Sequence, residues 1–528
     1  MMMPNHTANH ANLKFSHQNL TESSNWYGDF AKLASLDKLA EACGVFGIYA
    51  PGEDVAKLTY FGLYALQHRG QESAGIATFD GEQLHLYKDV GLVSQVFNES
   101  IFKDLPGSVA VGHTRYSTTG SSNKANAQPV AVDTHSFLLT LAHNGNLVNT
   151  VQLRDELLKN NCNLVTTSDS EMIALAIAEE INAGADWLEG SIKAFHRCFG
   201  AFSLVIGTSV GVMGVRDPNG IRPLVIGTLG NNPIRYVLAS ETCALDIIGA
   251  EYLRDVEPGE LVWITEEGLV SYHWSQKPQR KLCIFEMIYF ARPDSIMHNE
   301  SLYSYRLRLG QRLAEESPAD ADVVIGVPDS GIPAAIGFSQ VSGIPYTEGL
   351  IKNRYVGRTF IQPTQSMREL GIRMKLNSLK DVLFGKRVVI VDDSIVRGTT
   401  SRKLVKLLRE TGVVEVHMRI SSPPVTHPCF YGIDTDSQDQ LIAATKSVEE
   451  IAKQIEVDSL SYLSWQGMLE ETREDNSNFC SACFTGDYPV PVAEPLKRSK
   501  LMLENLANTR TYATGTVSER FGVSLAQT

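Results

Sequence analysis

The chain reads as a two-domain protein, α+β in its first half and α/β in its second. From Cys43 to about residue 275, many short apolar runs alternate with only two helical stretches, near 150–160 and 170–184. That hairpin-like spacing predicts stacked antiparallel sheets with helices outside. After residue 283 the rhythm becomes strand, loop, helix, which predicts a parallel, doubly wound sheet. The third observation is VVIVDDSIVRGTT, Val388 to Thr400. Four β-branched apolar residues run into Asp392-Asp393, and a turn of small residues then opens a helix. Such a strand delivers its carboxylates to the sheet edge where open α/β sheets bind ligands.

Length and composition agree. A chain of 528 residues is too long for one ordinary core. Its 43% hydrophobic and 20% charged residues are those of a soluble globular protein. The net charge of −13 makes it a poor nucleic-acid binder, and an anionic substrate needs a local basic patch. No apolar run reaches the ~18 residues of a membrane span. The N-terminus lacks the basic and apolar regions of a secretory signal. Eight widely spread cysteines point to a reducing compartment, with cytoplasm as the default.

Taken in order, residues 1–42 form a polar leader with one short helix near 30–42. The segment CGVFGIYA opens the fold as a buried strand, and Tyr60 to His68 is a helical run. Strands follow at 73–79, 137–145, 202–208, 236–240 and 260–265. In the second half, DVVIGVPDSG precedes the helix PAAIGFSQ, and RVVIVDDS precedes TTSRKLVKLLRETG, which Gly412 ends. Residues 413–422 form another strand, and 446–474 and 494–508 are helical in pattern. The domain reading is a leader at 1–42, a first domain at 43–275, a second at 276–475 and a C-terminal segment at 476–528.

Three segments of the second domain should meet at one sheet edge. In VPDSGIP (327–333), Ser330-Gly331 permits close backbone approach to a pyrophosphate. Segment 351–377 concentrates Lys352, Arg354, Arg358, Arg368, Arg373 and Lys375, the basic patch that an acidic chain needs, with Gly357, Pro363 and Thr364 marking a lid. In the third, Asp392 and Asp393 suit sugar hydroxyls or a metal, and the amides after them suit a phosphate. The pattern resembles the phosphoribosyl-pyrophosphate (PRPP) signature of type I phosphoribosyltransferases. The resemblance implies a magnesium ion near Ser330, Asp392 and Asp393. It also implies a 5′-phosphate held by Ser394 to Thr399, including Arg397, Gly398 and Thr399, and a pyrophosphate near Lys352 and Arg354.

Cys43, at the boundary between polar leader and folded pattern, would alone be an inert core cysteine. Its surroundings, CGVFGI, resemble the start of the N-terminal-nucleophile (Ntn) glutamine amidotransferases. LQHRGQESAGIA (66–77), GHTRYSTTG (112–120), AHNGNL (142–147) and TSDSE (167–171) follow in that family's order. The resemblance implies an αββα sandwich and a Cys43 nucleophile freed by removal of residues 1–42. The new α-amine, with pKa near ~8, can serve as its base. It further implies an oxyanion hole from Asn144 and Gly145, with Arg115 on the glutamine carboxylate and Asp169 on its ammonium.

Cys283, Cys429, Cys480 and Cys483 all fall in the second half, the last two as CxxC. CxxC alone is equally compatible with zinc, redox chemistry or coincidence. The contexts LCIFEMIYFARPDS, HPCFYGID and NFCSACFTGDYP resemble the iron–sulfur branch of the amidophosphoribosyltransferases, which implies a 4Fe-4S cluster on these four residues. Cys162, Cys198 and Cys243 lack such context and read as core.

Together the resemblances imply glutamine-dependent amination of PRPP to 5-phosphoribosylamine, with ammonia passed internally. They also imply purine-nucleotide inhibitors and a homotetramer or homodimer. Amidotransferases for glucosamine phosphate or asparagine would share the first domain but lack VVIVDDSIVRGTT. A ligand-sensing regulator on a phosphoribosyltransferase fold would need no Cys43 site.

Overall fold

The computed structural model describes residues 43–81, 83–116, 124–353, 376–433, 435 and 437–492. The leader, Arg354 and the rest of the lid segment through Lys375, and the segment 494–508 with the tail lie outside the described residues.

The first lobe has four layers. A seven-stranded sheet runs Glu251–Asp255, Val225–Leu229, Arg235–Ala239, Gly44–Tyr49, Val109–Arg115, Ser73–Phe79 and Leu84–Val90. A six-stranded sheet runs Gly268–His273, Glu260–Thr265, Gly211–Arg216, Gly200–Thr208, Leu138–Leu147 and Val130–Asp133. All their pairings are antiparallel. Between them lie Val45, Ala77, Val111, Ala142, Val205 and Val262. Outside the first sheet packs the helix Val55–Ala65. Outside the second pack Thr150–Lys159, Asp169–Asn182 and Trp187–Phe195. Cover on both faces explains why Ser73–Phe79 and Gly200–Thr208 are buried throughout and read as apolar runs.

The second lobe holds a four-stranded parallel sheet ordered Val323–Gly326, Arg387–Asp392, Glu415–Ile420 and Ser459–Tyr462. Helices Ile332–Ser342 and Thr399–Thr411 follow its first two strands, the second ending at Gly412 with φ 99°. The fold class predicted from sequence therefore holds. Cys283 and Cys480 are neighbours on the short parallel pair Leu282–Cys283 and Phe479–Cys480. One core joins the lobes: Val148, Ala201 and Ile221 pack in the same cluster as Cys283, Phe285, Val389 and Tyr431.

Three element predictions need correction. The first helix spans Val55–Ala65 instead of 60–68, because Asp54 accepts from the Lys57 N–H and caps it early. Residues 446–474 are not one helical stretch. The helix Val448–Ile455 stops at Glu456, which has φ 66°, and the short strand Ser459–Tyr462 intervenes before Trp465–Glu470. Helix Trp187–Phe195, capped by Asp186, was not anticipated. Among the described residues no helix is long and apolar enough to cross a membrane.

Candidate active sites

Cys43 directly precedes the strand Gly44–Tyr49 of the seven-stranded sheet and is 7% exposed. Its thiol donates to the Tyr116 carbonyl at 3.5 Å. Burial is the main influence and pushes the thiol pKa up, against lesser opposing effects of that carbonyl contact and Arg115. Arg115 and Asp169 both lie within electrostatic reach of the sulfur. Arg115 ends the strand Val109–Arg115, and Asp169 opens the helix Asp169–Asn182 after its cap Ser168. Burial works against Asp169 ionising, but His143 and the Leu147 N–H, donating at 3.0 Å, hold its carboxyl below the ordinary range.

Asn144 and Gly145 lie on Leu138–Leu147, opposite Ser203 and Phe202. Asn144 is fully buried, yet among the described residues both polar atoms of its side-chain amide lack a hydrogen-bond partner. An unmet buried amide costs about 1–3 kcal/mol, so it marks a place awaiting a ligand. Gly145 has φ 149°, and a Cβ there would stand 2.0 Å from the Ala201 carbonyl oxygen. Only glycine fits that position of the strand.

Beside Cys43 lies a buried charge network that the sequence reading did not assign. Arg69, in the quoted LQHRGQ motif, donates through Nε to the Cys43 carbonyl at 3.1 Å. Its Nη2 reaches Glu286 at 2.6 Å and its Nη1 reaches Glu241 at 2.5 Å. Arg222 pairs with the same Glu286 oxygen at 2.6 Å. Burial opposes ionisation of Glu241, but His68 and Arg69 outweigh it and hold the carboxyl far below the usual range. Glu286 belongs to the second lobe and is fully buried. Glu286→Ala is expected to cost about 3–5 kcal/mol, because it strands Arg222 and half-strands Arg69. Chemical denaturation should show this loss; a change below about 1 kcal/mol would contradict it.

The second constellation gathers at the C-terminal edge of the parallel sheet, as the sequence predicts for open α/β folds. Asp392 ends its strand and Asp393 follows, with the Asp393 N–H donating to Asp392 Oδ1 at 2.9 Å. Ser330 donates to Asp393 Oδ2 at 2.5 Å and Ser394 to Oδ1 at 2.7 Å. Gly331 lets the loop close on this edge, since a Cβ there would stand 2.5 Å from the Val391 carbonyl oxygen. Lys352 pairs with Asp329 at 2.6 Å, so one basic residue already faces the loop 327–331. Arg397 and Gly398 precede the helix that Thr399 opens. Arg306 was missed by sequence reasoning. It is buried on the helix Leu302–Glu316, with burial pulling its pKa down to about 10 against the pull of Asp393. Nothing in its helical context marks it out.

Cys283, Cys429, Cys480 and Cys483 line one narrow cavity with Arg222, Tyr431 and Tyr488. Burial foremost, with mutual repulsion among the thiolates, pushes Cys480 and Cys483 up, and burial pushes Cys283 up to about 12. Thiols held this way ionise only when a cation compensates them. Among the described residues no three His, Cys, Asp or Glu side chains are grouped closely enough to hold a metal ion. Four thiols around one cavity are a soft donor set, of the kind that suits zinc or an iron–sulfur group. Cys198 and Cys243 are buried and Cys162 packs beside the core.

The fold and the two sites define a glutamine amidotransferase joined to a phosphoribosyltransferase. A model described as a glutamine amidotransferase domain matches residues 113–246, and one described as a phosphoribosyl transferase domain matches 299–421. An amidophosphoribosyltransferase of Synechocystis sp. is 72% identical over 89% of this chain and 95% of its own length. That of Bacillus subtilis is 50% identical over 87% and 96%. A solved B. subtilis glutamine PRPP amidotransferase, complexed with ADP and GMP, superposes with a TM-score of 0.81 over 86% of this chain and 98% of its own, at 48% identity. The chain belongs to the amidophosphoribosyltransferase family. It is a transferase that uses glutamine to aminate PRPP to 5-phosphoribosylamine, releasing glutamate and pyrophosphate, in purine biosynthesis.

Proposed function

We propose that the two sites work as separate catalytic centres with the following division of labour. Cys43, freed at its amine by removal of residues 1–42, attacks the glutamine side-chain amide. Asn144 and the Gly145 N–H receive the oxyanion, Arg115 holds the substrate carboxylate and Asp169 its ammonium. Ammonia then passes to PRPP, whose ribose and magnesium meet Ser330, Asp392 and Asp393. Its 5′-phosphate meets Ser394, Arg397, Gly398 and Thr399, and its pyrophosphate meets Gly331, Lys352 and Arg354. Family membership supports magnesium as the ion, which when bound would supply charge neutralisation for the departing pyrophosphate. The observation that carries this reading is the buried Asn144 side-chain amide, without a hydrogen-bond partner among the described residues, in a lobe where Arg115 and Asp169 lie within electrostatic reach of Cys43.

Cys283, Cys429, Cys480 and Cys483 would hold a 4Fe-4S cluster, which fastens the C-terminal segment to the core and takes no part in the chemistry. The 43–275 and 276–475 boundaries, a cytoplasmic location, a homo-oligomer of two or four chains and inhibition by purine nucleotides complete the proposal. The nucleotide assignment is supported by the ADP and GMP in the B. subtilis complex.

Anaerobic purification tests the reading directly. The intact mass is expected to lack residues 1–42, and the brown protein to carry about four irons per chain. A full-length protein active with glutamine would refute the N-terminal nucleophile. A colourless protein containing zinc would refute the cluster.

A further inference from the structure

The four-cysteine cavity and the glutaminase centre share a loop. Cys429 lines the cavity. One residue later, the Phe430 carbonyl accepts from Asn146 Nδ2 at 3.0 Å. At Gly432, with φ 108°, a Cβ would stand 3.0 Å from the Gly145 Cα and 3.1 Å from its carbonyl carbon. The loop is held at its other end by the cavity wall, where the Tyr431 N–H approaches Cys429 Sγ at 3.4 Å and the Tyr431 hydroxyl donates to the Val490 carbonyl at 2.5 Å. Asn146 follows Asn144-Gly145 directly on the strand Leu138–Leu147. Its amide also donates to the Leu147 carbonyl at 3.2 Å, and the Leu147 N–H is the donor that fixes Asp169. Only two residues therefore lie between a cavity thiol, Cys429, and the glycine that approaches Gly145.

We infer that Asn146 is a positioning residue for glutamine hydrolysis, tying the Asn144-Gly145 end of its strand to the Cys429 loop so that the four-cysteine site and the glutaminase centre are coupled. This rests on the reading of Asn144 and Gly145 as the oxyanion donors. Oxyanion donors must be aimed to within fractions of an ångström. The cross-lobe hydrogen bond from Asn146 and the close approach of Gly432 to Gly145 hold this stretch of strand from the second-lobe side. A group bound in the cavity would hold Cys429 and, through Phe430 and Gly432, the Asn144-Gly145 pair.

The test compares Asn144→Ala, Asn146→Asp, Asn146→Ser, Cys429→Ser and the double variant Asn146→Asp/Cys429→Ser in the full chain. Asn146→Asp keeps the shape but removes the donor. It is expected to lower kcat for glutamine hydrolysis by about ten- to a hundredfold with a smaller change in KM for glutamine, because Arg115 is untouched and Asp169 keeps its bond from the Leu147 N–H. Asn146→Ser, which can still donate, should recover part of the loss. Ammonia-dependent amination and the metal and acid-labile sulfide content of Asn146→Asp should match wild type. Iodoacetamide should alkylate Cys43 at the normal rate, while a diazoketone analogue of glutamine labels it more slowly. The double variant should be no worse than the poorer single variant, the signature of one shared contact. Additive losses, or a KM effect without a kcat effect, would overturn the coupling. If Asn144→Ala leaves kcat intact, the oxyanion assignment itself fails. If Asn144→Ala is crippled and Asn146→Asp is not, only the present inference fails.

Discussion

Cys43→Ala is expected to reduce glutamine-dependent amination at least about 1,000-fold, while amination from ammonium salts stays within about twofold of wild type. The geometry dictates both halves. The Cys43 thiol is buried and its pKa raised, so at neutral pH it needs a local base to become a nucleophile. In the proposed mechanism the α-amine of the processed chain is that base, and only its unprotonated form can act. Glutamine hydrolysis should therefore rise with pH through the amine's pKa near ~8 and then level. Ammonium as donor bypasses thiol and amine alike. Steady-state assays with glutamine or ammonium salts, at fixed PRPP and magnesium, measure the split. Equal loss of both activities would contradict two separable centres.

Asp392→Asn combined with Asp393→Asn is expected to do the reverse, lowering amination from either nitrogen source by about 100- to 1,000-fold and leaving basal glutamine hydrolysis. The two side chains form one unit with Ser330 and Ser394, which donate to opposite oxygens of Asp393. Neutralising both removes the negative charge that would face a magnesium ion and a developing oxocarbenium centre, with little change in shape. Near-normal amination in the double variant would remove these carboxylates from the mechanism. Loss of glutamine hydrolysis as well would show that the damage spreads beyond the transferase site.

The legible parts of the fold were those whose local chemistry points one way. Val388 to Asp392 is a strand because it is β-branched and buried on both faces, and Gly412 ends its helix through a left-handed backbone. The misread parts were decided by tertiary contacts. The strand Ser459–Tyr462 follows a helical pattern closely and is strand because it pairs with Glu415–Ile420. At the sites, Asp392, Asp393, Cys43 and Asn144 stood out because they belong to compact motifs. Arg306, Glu241 and Glu286 did not, because their partners lie far away in sequence. Glu286 and Arg69 are separated by 217 positions. Arg69 stands inside LQHRGQESAGIA and Glu286 inside LCIFEMIYFARPDS, but nothing local to either motif pairs them.

The Arg69, Glu286 and Arg222 cluster also constrains how the two lobes can exist. Arg69, Arg222 and Glu241 belong to the first lobe, whereas Glu286 is supplied by the second. A first lobe excised at residue 275 would keep two buried guanidiniums and one carboxylate, a surplus of positive charge in a low-dielectric interior. Its Cys43 carbonyl would then be held by an arginine that had lost its bidentate partner. The seam thus makes the halves a single cooperative unit. The lobes can be told apart by eye, but the glutaminase half carries an electrostatic debt that only its companion settles.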